Sequence, residues 1–161
     1  KNMSREIICF HNPGEKNGYL SNWYMSEFVM DEITFSSMEK YMMYQKAKTF
    51  QDQENLENIL QSDDVAKIKE YGRRVKNYDD TVWNGIRQII VYNGLLEKFS
   101  QNEELGKQLK ATKESLLAEC AVGDKIWGIG LSMHDPDRMD VAKWKGKNLL
   151  GFSLMKVREV L

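Results

Sequence analysis

Strand-like and helix-like patterns do not alternate along this chain, and that order excludes a doubly wound parallel sheet. Ile7 to Phe10 reads as a buried strand, followed by the turn-rich run His11-Asn12-Pro13-Gly14-Glu15-Lys16-Asn17-Gly18. Phe28-Val29-Met30 and Ile33-Thr34-Phe35 flank Asp31-Glu32 and predict a hairpin. The period then becomes helical and stays mostly so through about Lys110. Ser36-Ser37-Met38-Glu39 fits a capping box, with Ser36 as N-cap and Glu39 at the third position of a helix reaching about Lys48. Asp52 to Gln61 and Asp63 to Tyr71 predict two more helices, the second stopped by Gly72. Asp79 or Asp80 opens a long helix ending near Ser100, with Val82, Ile86, Ile89, Ile90, Leu96 and Phe99 as its apolar stripe. Asn102 is expected to cap a short helix through Lys110, Leu116 to Cys120 to form a strand, and residues 132–143 an irregular polar loop. From Asn148 onward Leu150, Leu154, Val157 and Leu161 recur at helical spacing. The expectation is an α+β fold, mostly helical with a few short strands, in a single domain over residues 1–161.

Composition limits the function classes. The chain has 161 residues, 42% hydrophobic and 29% charged, which excludes a disordered tail and a disulfide miniprotein. A net charge of -1 argues against a nonspecific polyanion binder, although Arg73-Arg74-Val75-Lys76 and Lys143-Trp144-Lys145-Gly146-Lys147 gather positive charge locally. Cys9 and Cys120 lie in apolar segments and read as free buried thiols, which points to a reducing, cytoplasmic setting. No apolar run approaches the ~20 residues of a membrane helix, and no signal-peptide pattern is visible. With only His11 and His134 and no Cys/His cluster, neither a metal nor a cofactor is expected.

The P-loop and dinucleotide glycine fingerprints are absent, as are a serine-hydrolase elbow and a Cys/His pair. What remains is a set of polar residues in apolar segments. Glu39 and Lys46 are seven apart, and seven residues turn through about 700°, within about 20° of two full helical turns. They share a face, about 10.5 Å apart along the axis, a span suited to holding one small ligand from both ends. The plain alternatives are a cap for Glu39 and a surface amine for Lys46. Trp83 and Arg87 are helical neighbours that fit either a core indole under a snorkelling guanidinium or a phosphate and ring site. Glu119 ends an apolar strand, where a buried carboxylate needs a partner. Asp124 and Ser21-Asn22-Trp23 fit turns equally well.

Taken in order, these residues resemble the NADAR family of YbiA-like proteins. The run is Leu20-Ser21-Asn22, then Ser37, Glu39, Tyr41 and Gln45-Lys46-Ala47. It continues through Gly72-Arg73, Trp83, Arg87, Lys98-Phe99, Glu119 and Asp124 to Trp127-Gly128-Ile129-Gly130, Gly146-Lys147-Asn148 and Arg158. The resemblance spans nearly the whole chain and implies cleavage of an N-glycosidic bond at a ribose C1. Two activities go with it: removal of ADP-ribose from modified guanine in nucleic acid, and hydrolysis of phosphoribosylamino intermediates of riboflavin biosynthesis. Ile129 between the glycines, and the long link from Leu131 to Trp144 holding His134-Asp135-Pro136-Asp137-Arg138, resemble the ADP-ribose branch. Lys40 departs from relatives that carry His after the glutamate.

Breaking a C1–N bond builds positive charge on the ribose and requires protonation of the leaving nitrogen. The resemblance implies Glu39, Lys46 and Asp124 as catalytic residues, with Glu39 orienting the ribose and moving a proton. Lys46, desolvated and partly neutral, would attack C1 of the opened sugar to form an imine. Arg73 and Arg87 are candidate phosphate ligands, and Trp83, Trp127 and Trp144 candidate base-stacking rings. Gly128 and Gly130 would admit a pyrophosphate to backbone N–H groups, and Ser21, Asn22, Tyr41, Glu119 and Asn148 complete the binding set. The expected partner is ADP-ribose or an ADP-ribosylated guanine nucleotide or DNA, with a cognate ADP-ribosyltransferase toxin as a candidate protein partner. No membrane partner is expected. A non-catalytic sensor of NAD or ADP-ribose is the competing class, and oligomeric state is not set by the sequence.

Overall fold

The computed structural model describes residues 5–161. In chain order the elements are β1 (Ile7–Phe10), β2 (Met25–Met30), β3 (Ile33–Ser37), α1 (Met38–Thr49), α2 (Gln53–Leu60), α3 (Val65–Arg73), α4 (Asp80–Gln101), α5 (Glu103–Lys110), β4 (Leu116–Glu119) and α6 (Leu149–Val160). Short 3-10 turns occupy Gly18–Leu20, Pro136–Met139 and Val141–Lys143. This is the expected mostly helical α+β class. The chain divides into two compact units, Met25–Asn102 in one and the residues up to Tyr24 with Glu103–Leu161 in the other. No helix of the described residues is long and apolar enough to cross a membrane.

In the Met25–Asn102 unit, β2 and β3 pair antiparallel, with Phe28 opposite Phe35 and Met30 opposite Ile33. Asp31 and Glu32 both have positive φ, as a two-residue hairpin loop of the primed type demands. Phe28, Phe35 and Tyr41 meet at centroid distances of 5.2–5.9 Å, mostly edge to face, and form an aromatic core. Helix α1 is buried along Met38–Tyr44, so its sequence carries no amphipathic stripe. Its N-cap is Ser37, which accepts from the Lys40 N–H, and not Ser36. Ser36 instead donates to Asp63 Oδ1 at 2.7 Å. The same carboxylate takes the buried Lys40 ammonium at 2.8 Å, which gives that residue a structural reason to be lysine.

Two further sequence expectations are corrected in this unit. Gly72 lies inside α3 and does not end it: a Cβ there would meet Met43 Sδ at 2.0 Å, so the glycine serves helix packing. The buried face of α4 is Trp83, Arg87, Val91, Gly94, Leu95, Lys98 and Phe99, while Val82 and Ile89 are exposed. An apolar count misses that face because two of its members are cations. Asn102 closes α4, its amide donating to the Lys98 and Glu27 carbonyls, and stands directly before α5. The Gln101 amide bonds both the N–H and the C=O of Val29, standing in for a strand neighbour at the hairpin edge.

In the other unit, β1 and β4 pair parallel, from Ile7 opposite Leu116 to Phe10 opposite Glu119. A small core of Ala118, Cys120, Ile129 and Leu131 is covered by Ile7, Cys9, Met133 and Trp144. Ile129 therefore has a packing reason to be apolar. Both cysteines are free, Cys120 buried and Cys9 half-buried. The link after Leu131 is ordered by Asp135 and Asp140, which cap the two 3-10 turns, and by Trp144 Nε1 donating to the Arg138 carbonyl at 2.8 Å. Helix α6 packs on β4. Asn148 precedes α6 at φ 53° and is fully buried: its Oδ1 accepts from Glu119 N–H and its Nδ2 donates to the Leu117 carbonyl.

Candidate functional site

The first cluster of chemical side chains lies in the Met25–Asn102 unit. Helix α1 carries Glu39, buried, and Lys46, half-buried, two turns apart. Burial pulls the Lys46 ammonium below the ordinary lysine value; the Glu39 carboxylate opposes this, and the Arg73 charge adds to it. Lys46 Nζ sits 4.8 Å from the centroid of the Tyr78 ring. Tyr78 donates to Asp80 Oδ1 at 2.6 Å, and burial first, then Asp80, pushes its phenol up to about 12. Phe50 bridges Tyr78 and Trp83, at 5.3 and 6.5 Å between centroids. Arg87 is buried one turn beyond Trp83, and its charge acts on Tyr78. Glu39, Lys46, Arg73, Tyr78, Trp83 and Arg87 thus form one neighbourhood: an amine whose charged form burial disfavours, with an acid, two guanidiniums and a wall of rings. Arg73 is exposed and also pairs with Glu70 at 3.6 Å. Tyr41 stands apart, its ring in the Phe28–Phe35 core and its phenol pushed up to about 12, chiefly by burial.

The second cluster lies in the other unit and centres on the end of β4. Burial drives the Glu119 carboxyl up to about 7, with the nearby His11 pulling down and Asp124 pushing up. Glu119 Oε2 is 3.0 Å from His11 Nδ1. A Cβ on Gly128 would lie 2.8 Å from the Glu119 carbonyl, so only glycine lets the loop 123–130 close on the strand. Ile129 N–H then donates to that carbonyl at 2.8 Å, and Gly130 follows at φ +74°. Asp124 Oδ1 accepts from the Ile126 and Trp127 N–H groups, which gives the aspartate a loop-shaping part. Asn148 uses both polar ends on β4, so it positions Glu119. Trp144 is built into the cover of the small core and lies 6.2 Å from the Phe152 ring. Ser21 accepts from Trp23 N–H, and Asn22 is buried with its Oδ1 lacking any partner among the described residues. A buried orphan acceptor is costly in a folded chain and marks a place for a ligand donor. No group of three or more His, Cys, Asp or Glu among the described residues could hold a metal.

Two members of these clusters escape sequence reasoning. Tyr78 immediately precedes the N-cap Asp79, and Trp83 stands at the fourth helical position, the spacing of a hydrophobic staple. That signal was readable but points to helix entry, not to a lysine. His11 follows a strand pattern by one residue, and nothing in its local sequence names Glu119, 108 residues away, as partner.

With this geometry in place, the comparisons with known proteins are direct. The family model described as NADAR domain matches residues 9–161. The chain is 41% identical over 162 residues to "N-glycosidase R617" of Acanthamoeba polyphaga mimivirus, covering 96% of this chain and 95% of that protein. It is 32% identical to "Riboflavin biosynthesis protein VVA0006" of Vibrio vulnificus, covering 99% of this chain but 40% of that one. The solved NMR structure of Escherichia coli YbiA superposes with a TM-score of 0.80 at 28% identity, covering 99% of this chain and 86% of that one. A match of this extent leaves one assignment: the chain belongs to the NADAR domain family and shares the fold of YbiA.

Proposed function

We propose that this protein is an N-glycosidase that removes ADP-ribose from ADP-ribosylated guanine in nucleic acid. Hydrolysis of N-glycosyl bonds is the activity in the names of its relatives R617 and YbiA. The observation that carries the reading is Lys46: a half-buried amine held below its ordinary protonation range, beside a buried carboxylate and against an aromatic ring. Burial makes the neutral, nucleophilic form of such an amine easier to reach. With the ribose ring opened, the Lys46 nitrogen adds to C1. The C1–N bond to guanine breaks, and the leaving nitrogen takes the proton that the Glu39 carboxylate has accepted from the adding Lys46 amine. The lysine is then joined to the sugar as an imine. Water adds to that carbon, free ADP-ribose departs, and both Lys46 and Glu39 return to their starting forms. Arg73 and Arg87 supply guanidiniums suited to phosphate oxygens, and Trp83 a ring for the base.

Borohydride trapping tests this directly. Wild-type protein incubated with an ADP-ribosylated guanine oligonucleotide and borohydride gains the mass of reduced ADP-ribose on Lys46, and Lys46→Ala gains none. Active protein that traps nothing replaces the imine with direct water attack aided by Glu39 or Asp124. The riboflavin-linked name of VVA0006 favours a second substrate, a phosphoribosylamino pyrimidine. Turnover of that compound with the oligonucleotide left intact would select it. Tight ADP-ribose binding with no turnover of either would leave a sensor module.

A further inference from the structure

The exposed run from Arg73 to Lys76 gathers three cations within four residues, and Arg74 and Lys76 have no part in the chemistry above. The backbone of this run is anchored from below. Asp52 and Asn55, at the start of α2, are both buried. Asp52 Oδ2 accepts from the Lys76 N–H and from Asn55 Nδ2, each at 2.8 Å, and Asn55 Nδ2 also donates to the Arg74 carbonyl at 3.2 Å. Val75, between the two cations, is buried as well. The segment is clamped through its main chain and one apolar side chain, which leaves the Arg74 and Lys76 side chains, 64% and 68% exposed, in water. It also borders the candidate site at both ends. Arg73, at its start, acts on Lys46 through its charge. Asn77, at φ 61°, then turns the chain into Tyr78, whose ring centroid lies 4.8 Å from Lys46 Nζ. The middle of this arc holds the two unassigned cations.

We propose that Arg74 and Lys76 bind the phosphodiester backbone of a single-stranded nucleic acid, gripping the nucleotides that flank the modified guanine. The inference rests on the proposed function for the identity of that guanine, and it separates a polymer from a free nucleotide as substrate. From Val65 to Tyr78 the chain carries five cations and one carboxylate, Glu70, in a protein whose net charge is -1. Glu70 lies 3.6 Å from Arg73 and 3.3 Å from Arg74, and Glu54 3.4 Å from Lys76, with at least 46% of each side chain exposed. Such solvated pairs are weak, so phosphate oxygens compete for the cations with little opposition. Asp79 and Asp80, which follow, are engaged elsewhere: Asp79 caps α4 and Asp80 accepts from Tyr78. A guanidinium fork takes two phosphate oxygens at once, and an ammonium adds a point charge beside it. A strand that places one guanine at Lys46 carries phosphodiesters on both sides of it, where a free nucleoside has none. A base that is worked on must leave its stack, which favours a single strand over a duplex.

The test compares two substrates. Truncating the side chains leaves the Arg74 carbonyl and the Lys76 N–H in the clamp, so Arg74→Ala/Lys76→Ala keeps the fold. With an ADP-ribosylated guanine oligonucleotide at low salt, KM of this variant is expected to rise about tenfold with kcat unchanged. ADP-ribosylated guanosine, which has no flanking phosphodiester, is turned over as by wild type. Arg74→Lys/Lys76→Arg keeps both charges and a KM near that of wild type. Binding is also read without turnover, by fluorescence anisotropy of an unmodified guanine-containing single strand. In the double alanine variant the log–log slope of affinity against salt becomes shallower by about 1.4, since each single-strand phosphate contact contributes about 0.7. An affinity and salt slope shared by that variant and wild type overturn the proposal. Displacement of the strand by polyglutamate as readily as by an oligonucleotide of matched charge overturns it too, by making the patch a surface for any polyacid. If wild-type protein cleaves neither the modified oligonucleotide nor the phosphoribosylamino pyrimidine, the proposed function fails, and the anisotropy alone then decides whether Arg74 and Lys76 bind a strand.

Discussion

The two units solve the same problem, holding ionisable groups in poorly solvated places, by different means. In Met25–Asn102 the groups are carried on helices. Glu39 and Lys46 sit on α1 and Arg87 on α4, each placed by helical pitch. In the other unit they are carried by a strand end and loops. Glu119 stays where it is because Asn148, Ile129 and β1 hold it from distant parts of the sequence. The lesson is that a helix supplies geometry locally, and its side chains can be altered with little effect on the scaffold. A strand end gets its geometry from tertiary bonds, so its supporting residues cannot be changed without loss of structure.

The largest expected effect tests the helical side. Lys46→Ala should lower turnover by ~10³-fold, the scale of losing a nucleophile or proton-transfer group, and move the urea midpoint very little. A large loss of stability instead would make Lys46 a structural residue and erase the contrast. Asn148→Ala should do the opposite. It strands the buried Glu119 N–H and Leu117 C=O, at about 2 kcal/mol each, so stability should fall by about 4 kcal/mol in denaturant titration. If that variant keeps wild-type stability, the strand end is not held in the way described.

Glu119 sharpens the comparison through pH. Its carboxyl is raised from 4.5 to about 7 in the folded chain, so between those values the folded state binds a proton that the unfolded state has released. Its contribution therefore favours folding below pH 4.5 and is lost as pH rises toward 7, a change of about 3 kcal/mol. Glu119→Gln should flatten that part of the stability curve, and an unchanged curve would contradict the burial assigned to the carboxyl. The smallest effect is the cap. Ser37→Ala should cost about 1 kcal/mol in thermal unfolding through loss of the bond to Lys40 N–H. Since Ser36 bonds Asp63 and not the helix, Ser36→Ala should leave the start of α1 intact by amide exchange.

Much of the helical unit was legible. The hairpin at Asp31-Glu32, the helix starts at Asp52 and at Asp79 or Asp80, and the seven-residue spacing of Glu39 and Lys46 all follow from local rules that the structure repeats. The errors there have a common origin. Arg87 and Lys98 lie on the buried face of α4, and a pattern built on apolar residues turns toward the wrong side when charges are inside. Gly72 looked like a stop because its use, making room for Met43, depends on a neighbouring helix.

By itself the sequence determined the elements, their order, and which side chains share a helical face, because pitch, capping and turn chemistry act over a few residues. It also carried the ordered residue set that identifies the family. Only the tertiary structure decided that Asn148 staples β4, that Tyr78 covers Lys46, and that His11 meets Glu119. Those facts depend on which distant segments pack together, and on how much water packing removes from an amine or a carboxyl. No local pattern encodes either quantity.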